Sequence, residues 1–233
     1  MKIFAISDLH LCLSGAKPMD VFGSCWENYL EIIKNDWNSK VEEEDYVLMA
    51  GDMSWALKLE EASHDLKYLN SLKGNKIIIR GNHDYWWKSI SALRKELPKS
   101  IIPLQNDAFK IGNYIIAGTR GWTIPERNKQ LSEEDEKIFK RELIRLELSL
   151  QFANNLKTSD KDVIIAMIHY PPFNSCFDDS DFTKLLEKYN VKKVVYGHLH
   201  GGIARTFLTS QKNGIEYFLT SCDKLNNKLV RIY

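Results

Sequence analysis

The chain has 233 residues, 32 basic and 31 acidic, for a formal net charge of +1 at pH 7. Hydrophobic residues at 44% and charged residues at 27% exclude a disordered chain, a collagen-like repeat and a disulfide-stapled mini-protein. The near-neutral balance excludes a bulk basic field for nucleic acid, and no apolar run long enough for a transmembrane helix occurs.

Residues 1–7 read as a short strand rather than as a targeting segment. Cys12, Cys25, Cys176 and Cys222 match no zinc-knuckle or redox spacing, which suits small thiols in a reducing cytoplasm. No linker, repeat or low-complexity stretch divides the chain, so residues 1–233 are expected to form one domain.

Apolar runs and one-sided helical patterns alternate. Strands are predicted at 3–6, 46–50 and 76–79, with helices over 26–37, 60–72 and 88–97; Pro98 ends the last of these. Residues 108–111 and 114–117 flank Gly112-Asn113 as a hairpin. A loop runs from Gly118 to about Leu131. The longest helix follows over 132–156, capped by Ser132 with Asp135 and stapled by Leu131. Its predicted apolar stripe is Ile138, Phe139, Leu143, Leu146, Leu150 and Phe152. A buried strand at 163–168 stops at Pro171-Pro172, and a helix over 181–189 precedes a buried strand at 193–196. Residues 204–209 and 215–220 are predicted to pair across Asn213-Gly214, and 228–233 to form an edge strand. Strands alternating with helices argue an α/β fold with largely parallel pairing, and two strand blocks suggest two packed sheets with helices outside.

Five of the six histidines fall in polar clusters just past strands. The clusters are Asp8-Leu9-His10, Gly51-Asp52, Gly81-Asn82-His83-Asp84, His169, and Gly197-His198-Leu199-His200. Ligands bind at the carboxyl ends of strands in α/β sheets, so these groups should converge. Carboxylate, amide and imidazole donors in this number suit a pair of divalent metals. Side-chain alternation along an extended Asp-x-His or His-x-His would put both members on one face. The glycines at 51, 81 and 197 would permit tight turns and close approach.

The ordered set Asp8-x-His10, Gly51-Asp52, Gly81-Asn82-His83-Asp84, His169, Gly197-His198-x-His200 resembles the calcineurin-like metallophosphoesterases, over nearly the whole chain. The resemblance implies a four-layer αββα sandwich with two mixed sheets. It implies that Asp8, His10, Asp52 and His200 hold one metal, and that Asp52 (bridging), Asn82, His169 and His198 hold the other. His83 would face the substrate as acid or hydrogen-bond donor, with Asp84 orienting it. The implied reaction is hydrolysis of a phosphate ester by metal-activated hydroxide, with manganese, iron or zinc fitting the mixed donors.

The chain departs from the protein serine/threonine phosphatases of this superfamily. Gly51-Asp52-Met53-Ser54-Trp55-Ala56 contains no arginine, so the phosphate-clamping arginine of that branch is missing there. The Asn-His-Asp form and the lack of a capping domain look more like the small phosphodiesterase branch. The expected substrate is a small phosphodiester or phosphomonoester, including nucleotide-like ones. A protein phosphatase and a non-catalytic binding module are the alternatives. Arg120 is the candidate replacement phosphate binder, against an ordinary surface arginine. Trp55 and Trp86, each three residues past a motif residue, would stack on a nucleobase or else pack the rim of the sheet.

Overall fold

A computed structural model describes residues 1–15, 17–201 and 207–233. The buried run Ile3–Ala5 forms β1, followed by α1 (Tyr29–Lys40), β2 (Tyr46–Met49), α2 (Leu59–Ser71), β3 (Asn75–Ile78), α3 (Ile90–Glu96) and β4 (Ile101–Pro103). Then come β5 (Ala108–Ile111), β6 (Tyr114–Thr119), α4 (Glu133–Asn155), β7 (Val163–Ile168), α5 (Asp181–Lys188), β8 (Lys193–Tyr196), β9 (Thr209–Lys212), β10 (Ile215–Leu219) and β11 (Val230–Arg231). The helical connections carry the chain back between strands, so β1, β2, β3 and β4 pair in parallel. β11 returns antiparallel beside β1, giving the order β11-β1-β2-β3-β4. The second sheet runs β5-β6-β7-β8-β10-β9, with parallel inner strands and an antiparallel hairpin partner at each edge.

Side chains alternate between the two faces of each strand, and both faces are apolar. Ile3, Ala5, Leu48 and Ile77 of the first sheet meet Ile116, Ile165, Met167 and Val195 of the second. The outer face of the first sheet packs under Ile33 and Trp37 of α1, Leu66 and Leu69 of α2, and Leu93 of α3. That of the second packs under Leu146 and Leu150 of α4 and Phe182 and Leu186 of α5. The result is a four-layer αββα sandwich. No helix among the described residues is long and apolar enough to cross a membrane.

Four local expectations change. Residues 24–26 form a 3-10 turn, so the first helix begins at Tyr29 instead of Trp26. β4 carried no periodic signal because it is only three residues long; its end at Pro103 suits an edge strand. On α4, Phe152 is 49% exposed, and Ala153 takes the inward place beside Leu150. The hairpin turn at Asn213-Gly214 is as expected, with Lys212 paired to Ile215 and positive φ at both turn residues. However, β9 begins at Thr209, and residues 204–206 of the predicted arm lie outside the described residues.

The two sheets meet at the carboxyl end of β1. Ser7 bridges to Ser221 just past β10, with Ser7 N donating to Thr220 O at 2.7 Å and Cys222 N to Ser7 O at 3.0 Å. The Ser7 hydroxyl also accepts from Ala50 N at 2.9 Å, tying in the end of β2.

Lys76 on β3 is fully buried, and its ammonium donates to the carbonyls of Leu72 and Gly74. Burial pushes its pKa down to about 8. Above that value, and below the ordinary lysine pKa of about 10.4, the unfolded chain holds a proton that the fold does not, so stability rises with pH through this window. Chemical denaturation at pH 8 and pH 10 should show a smaller rise in Lys76→Met than in the parent chain.

Candidate metal centre

The five polar clusters stand at carboxyl ends of parallel strands from both sheets, and the seam at Ser7 brings those ends together. The convergence does not use strand alternation. Asp8, His10, Asp52 and His198 all adopt left-handed backbone, with φ of 59°, 46°, 53° and 71°. Such conformations are uncommon for non-glycine residues and persist where surrounding structure enforces them. The chain thus turns sharply at each of these residues and aims the side chain into the gap between the sheets.

The side chains form two adjoining groups. Donor atoms of Asp8, His10 and His200 lie within 4.8 Å of one another, as do those of Asp8, Asp52 and His169. Asp52 Oδ2 lies 3.8 Å from His10 Nε2 and 3.5 Å from His169 Nε2, so one carboxylate oxygen stands between the two groups. Asn82 Oδ1 is 2.6 Å from His169 Nε2 and 2.9 Å from His198 Nδ1. His10 Nε2 is 3.2 Å from His200 Nε2. All seven predicted ligands are therefore brought to one place.

Two glycines make room for this crowding. A Cβ at Gly81 would sit 2.1 Å from Asp52 Oδ1, and one at Gly197 would sit 2.2 Å from Asp8 Oδ2. Either substitution would push a carboxylate out of position.

The electrostatics suit cations. Burial lowers the pKa of His10 to about 3 and that of His198 to about 4, so both imidazoles are neutral near pH 7 with a lone pair to offer. Burial, and then the neighbouring Asp8 charge, raise Asp52 to about 8. Asp8 stays low, at about 2, against its own burial, through its hydrogen bond to His200 and the nearby imidazoles. A buried carboxylate pair held this close, faced by the neutral imidazoles of His10 and His198 and by an amide oxygen, fits a pair of divalent ions.

The outer hydrogen bonds orient the donors. His169 Nδ1 lies 2.8 Å from the Ala50 carbonyl, which leaves Nε2 facing the site. His200 Nδ1 lies 2.9 Å from Asp223 Oδ1, leaving Nε2 toward Asp8 and His10. Burial alone would lower the His200 pKa, but the hydrogen bonds to Asp223 and Asp8 raise it to about 10. Ser221 donates to Asp8 Oδ2 at 3.0 Å. Asp223 and Ser221 escaped the sequence argument because neither sits in a histidine cluster. Their one signal was position, just past the carboxyl end of the parallel strand β10.

Two expected roles change, those of Asp84 and Trp86, and Arg120 is placed beside an acidic partner. Asp84 does not orient His83: it is fully buried and accepts from the backbone N–H groups of Gly81, Asp52, Met53 and Ser54 and from the Trp86 indole, at 2.8–3.2 Å. It staples the loop after β2 to the loop after β3. Trp86 is 1% exposed and belongs to the core cluster that holds Leu66 of α2 and Leu93 of α3, so it presents no open face for stacking. Arg120 is held over the Trp122 ring at 4.7 Å and lies 3.4 Å from Glu142.

Trp55 does reach the site. Its ring stacks on His10 at 4.8 Å and lies 4.4 Å from His83. His83 is half-buried, 5.6 Å from the His10 ring, and burial lowers its pKa. On the opposite side, Tyr170 covers the His198 ring at 4.0 Å. Beyond it opens a cavity of about 380 Å³ lined by Phe173, Phe177, Tyr196, Leu199, Phe207 and His198 itself.

Two substitutions test this support. Asp223→Asn should weaken metal affinity about 10–100-fold with the fold intact, as read by metal titration and circular dichroism. Asp84→Asn places an amide N–H₂ against backbone donors and should lower stability by about 1–3 kcal/mol in chemical denaturation.

A family model described as calcineurin-like phosphoesterase matches residues 1–202. No curated protein matches the chain. Among solved structures, the phosphopantetheinyl hydrolase PptH of Mycobacterium tuberculosis superposes with a TM-score of 0.56 at 15% identity, covering 99% of this chain and 95% of that one. The protein of unknown function AQ665 from Aquifex aeolicus gives 0.54 at 14% identity with the same coverage. The protein TT1561 of Thermus thermophilus gives 0.54 at 13%, covering 98% and 96%. At these identities the structures share the fold; the family match covers all five polar clusters, through His200. The chain belongs to the calcineurin-like phosphoesterases and is a metal-dependent phosphoesterase.

Proposed function

We propose that the chain hydrolyses a small organic phosphate ester, a phosphodiester in preference to a monoester, at a two-metal centre. The observation that carries this is the pair of adjoining donor groups with Asp52 Oδ2 standing between them. Asp8, His10, Asp52 and His200 would hold one ion, and Asp52, Asn82, His169 and His198 the other. Bound there, two divalent ions of manganese, iron or zinc would supply charge for the phosphoryl oxygens and a water of lowered pKa.

The chain's own groups do the rest. His83, neutral near pH 7 because burial lowers its pKa, has one ring N–H to offer a phosphoryl or leaving oxygen. The Trp55 ring against it limits its rotation. The cavity beside His198 holds the organic part of the ester, and Phe173, Phe177 and Tyr196 give it aromatic walls suited to a base or another flat or extended apolar group. A phosphopantetheinyl hydrolase among the structural neighbours accords with an elongated organic phosphate. The missing arginine after Asp52 speaks against a phosphoprotein substrate. The four free cysteines suit a reducing compartment, and we place the enzyme in the cytoplasm.

The test is a panel of aryl phosphomonoesters, bis-aryl phosphodiesters, cyclic nucleotides and dinucleotides with manganese added. Diesters should turn over fastest. Removing metal with a chelator, or Asp52→Asn, should cut turnover at least about a hundredfold. Undiminished turnover in either case overturns the proposal, and a profile confined to monoesters overturns the diester preference.

A further inference from the structure

A second, smaller cavity of about 80 Å³ lies apart from the aromatic one. Arg80, just past β3, and Arg120, just past β6, line it together with Gln105, Thr119, and Glu142 and Arg145 of α4. Its charges do not balance. The buried Glu142 carboxylate is already shared: Arg145 donates to it at 2.8 Å, Thr119 at 2.9 Å and Arg120 at 3.4 Å. Arg80 forms no ion pair among the described residues. Arg80 Nε and Arg120 Nε are both sealed from solvent with no hydrogen-bond partner.

A shielded guanidinium N–H without an acceptor is costly, and both arginines are only partly exposed to water that could screen their charge. A water would satisfy the N–H groups but not the charge. An oxyanion would satisfy both, and planar guanidinium forks match its oxygens. At roughly 30 Å³ per water, the cavity has room for two or three waters or for one tetrahedral ion. We propose that Arg80 and Arg120 form a phosphate-class oxyanion site distinct from the metal centre. It does not depend on the substrate proposed above.

The site is mechanically close to the chemistry. Arg80 directly precedes Gly81, Asn82 and His83. The Arg120 carbonyl accepts from Tyr170 N at 3.0 Å, and the Tyr170 ring covers His198. An oxyanion here therefore braces two segments that carry donors of the second group. Free inorganic phosphate and a second phosphoryl group of a substrate share this chemistry.

Isothermal titration of the metal-loaded full chain with inorganic phosphate tests the site. Two binding events are expected, one at the metals and one here. Arg80→Gln should weaken one of them at least tenfold and leave the other, and Arg120→Gln should do the same. Should Arg80→Gln fail to fold, Arg80→Lys keeps the charge without the fork and should still weaken that event. A single event lost in Arg80→Gln would support the site while counting against phosphate at the metal centre. No binding, or binding that the arginine substitutions leave unaltered, overturns the proposal. The source is read from kcat/KM: a tenfold loss in Arg80→Gln confined to substrates with a second phosphoryl group marks a substrate subsite. An equal effect on phenyl phosphate marks free phosphate, and both results keep the site.

Discussion

The seam between Ser7 and Ser221 is the contact on which the site depends. Two largely parallel sheets stacked face to face would ordinarily each present its own carboxyl edge. Here the end of β1 hydrogen-bonds to the segment after β10, so the two edges become one. Asp8 follows directly on one side of the seam and Asp223 on the other. The Ser7 hydroxyl also bonds to Thr220 Oγ1 at 2.7 Å and accepts from Ala50 N, which adds the end of β2. Donors from five strand ends then need only short loops to meet.

Those loops are held by groups that touch no substrate. Asp84 gathers four backbone N–H groups, three of them from the loop that carries Asp52. Its burial excludes competing water, so these bonds fix the left-handed turn at Asp52. Strained backbone at four candidate donor positions is a cost borne by the rest of the fold, and the packed layers on both sides of each sheet are what bear it.

Much of this was legible in the sequence, for physical reasons. The buried strands announced themselves as short apolar runs, and the donor clusters as polar punctuation directly after them. Alternating helices and strands gave the parallel pairing. What stayed hidden was non-local. Asp84 sits in the same tetrapeptide as His83, and proximity in sequence suggested that it served that ring; in space it turns the other way, toward backbone donors. Trp86 shares a spacing with Trp55, yet one fills the core and the other stacks on His10. Asp223 lies far along the chain from His200 and meets it only through the sheet order. The Asp-x-His spacing led to the right convergence by the wrong route, since left-handed turns and not extended alternation aim those side chains.

The edges of the two sheets carry a consequence for how the chain behaves in solution. Edge strands are templates for adding another chain's backbone. In the first sheet the outer strands are β11, of two residues, and β4, of three ending in Pro103. In the second they are β9, whose sequence Thr-Ser-Gln-Lys is polar, and β5, which carries Lys110. Shortness, a proline, polar side chains and lysine each discourage strand addition. Among the described residues the sandwich therefore presents no long apolar strand along which copies could zip together. The crowded rim at the carboxyl ends can remain open to small molecules without the sheets beneath it becoming sites of aggregation.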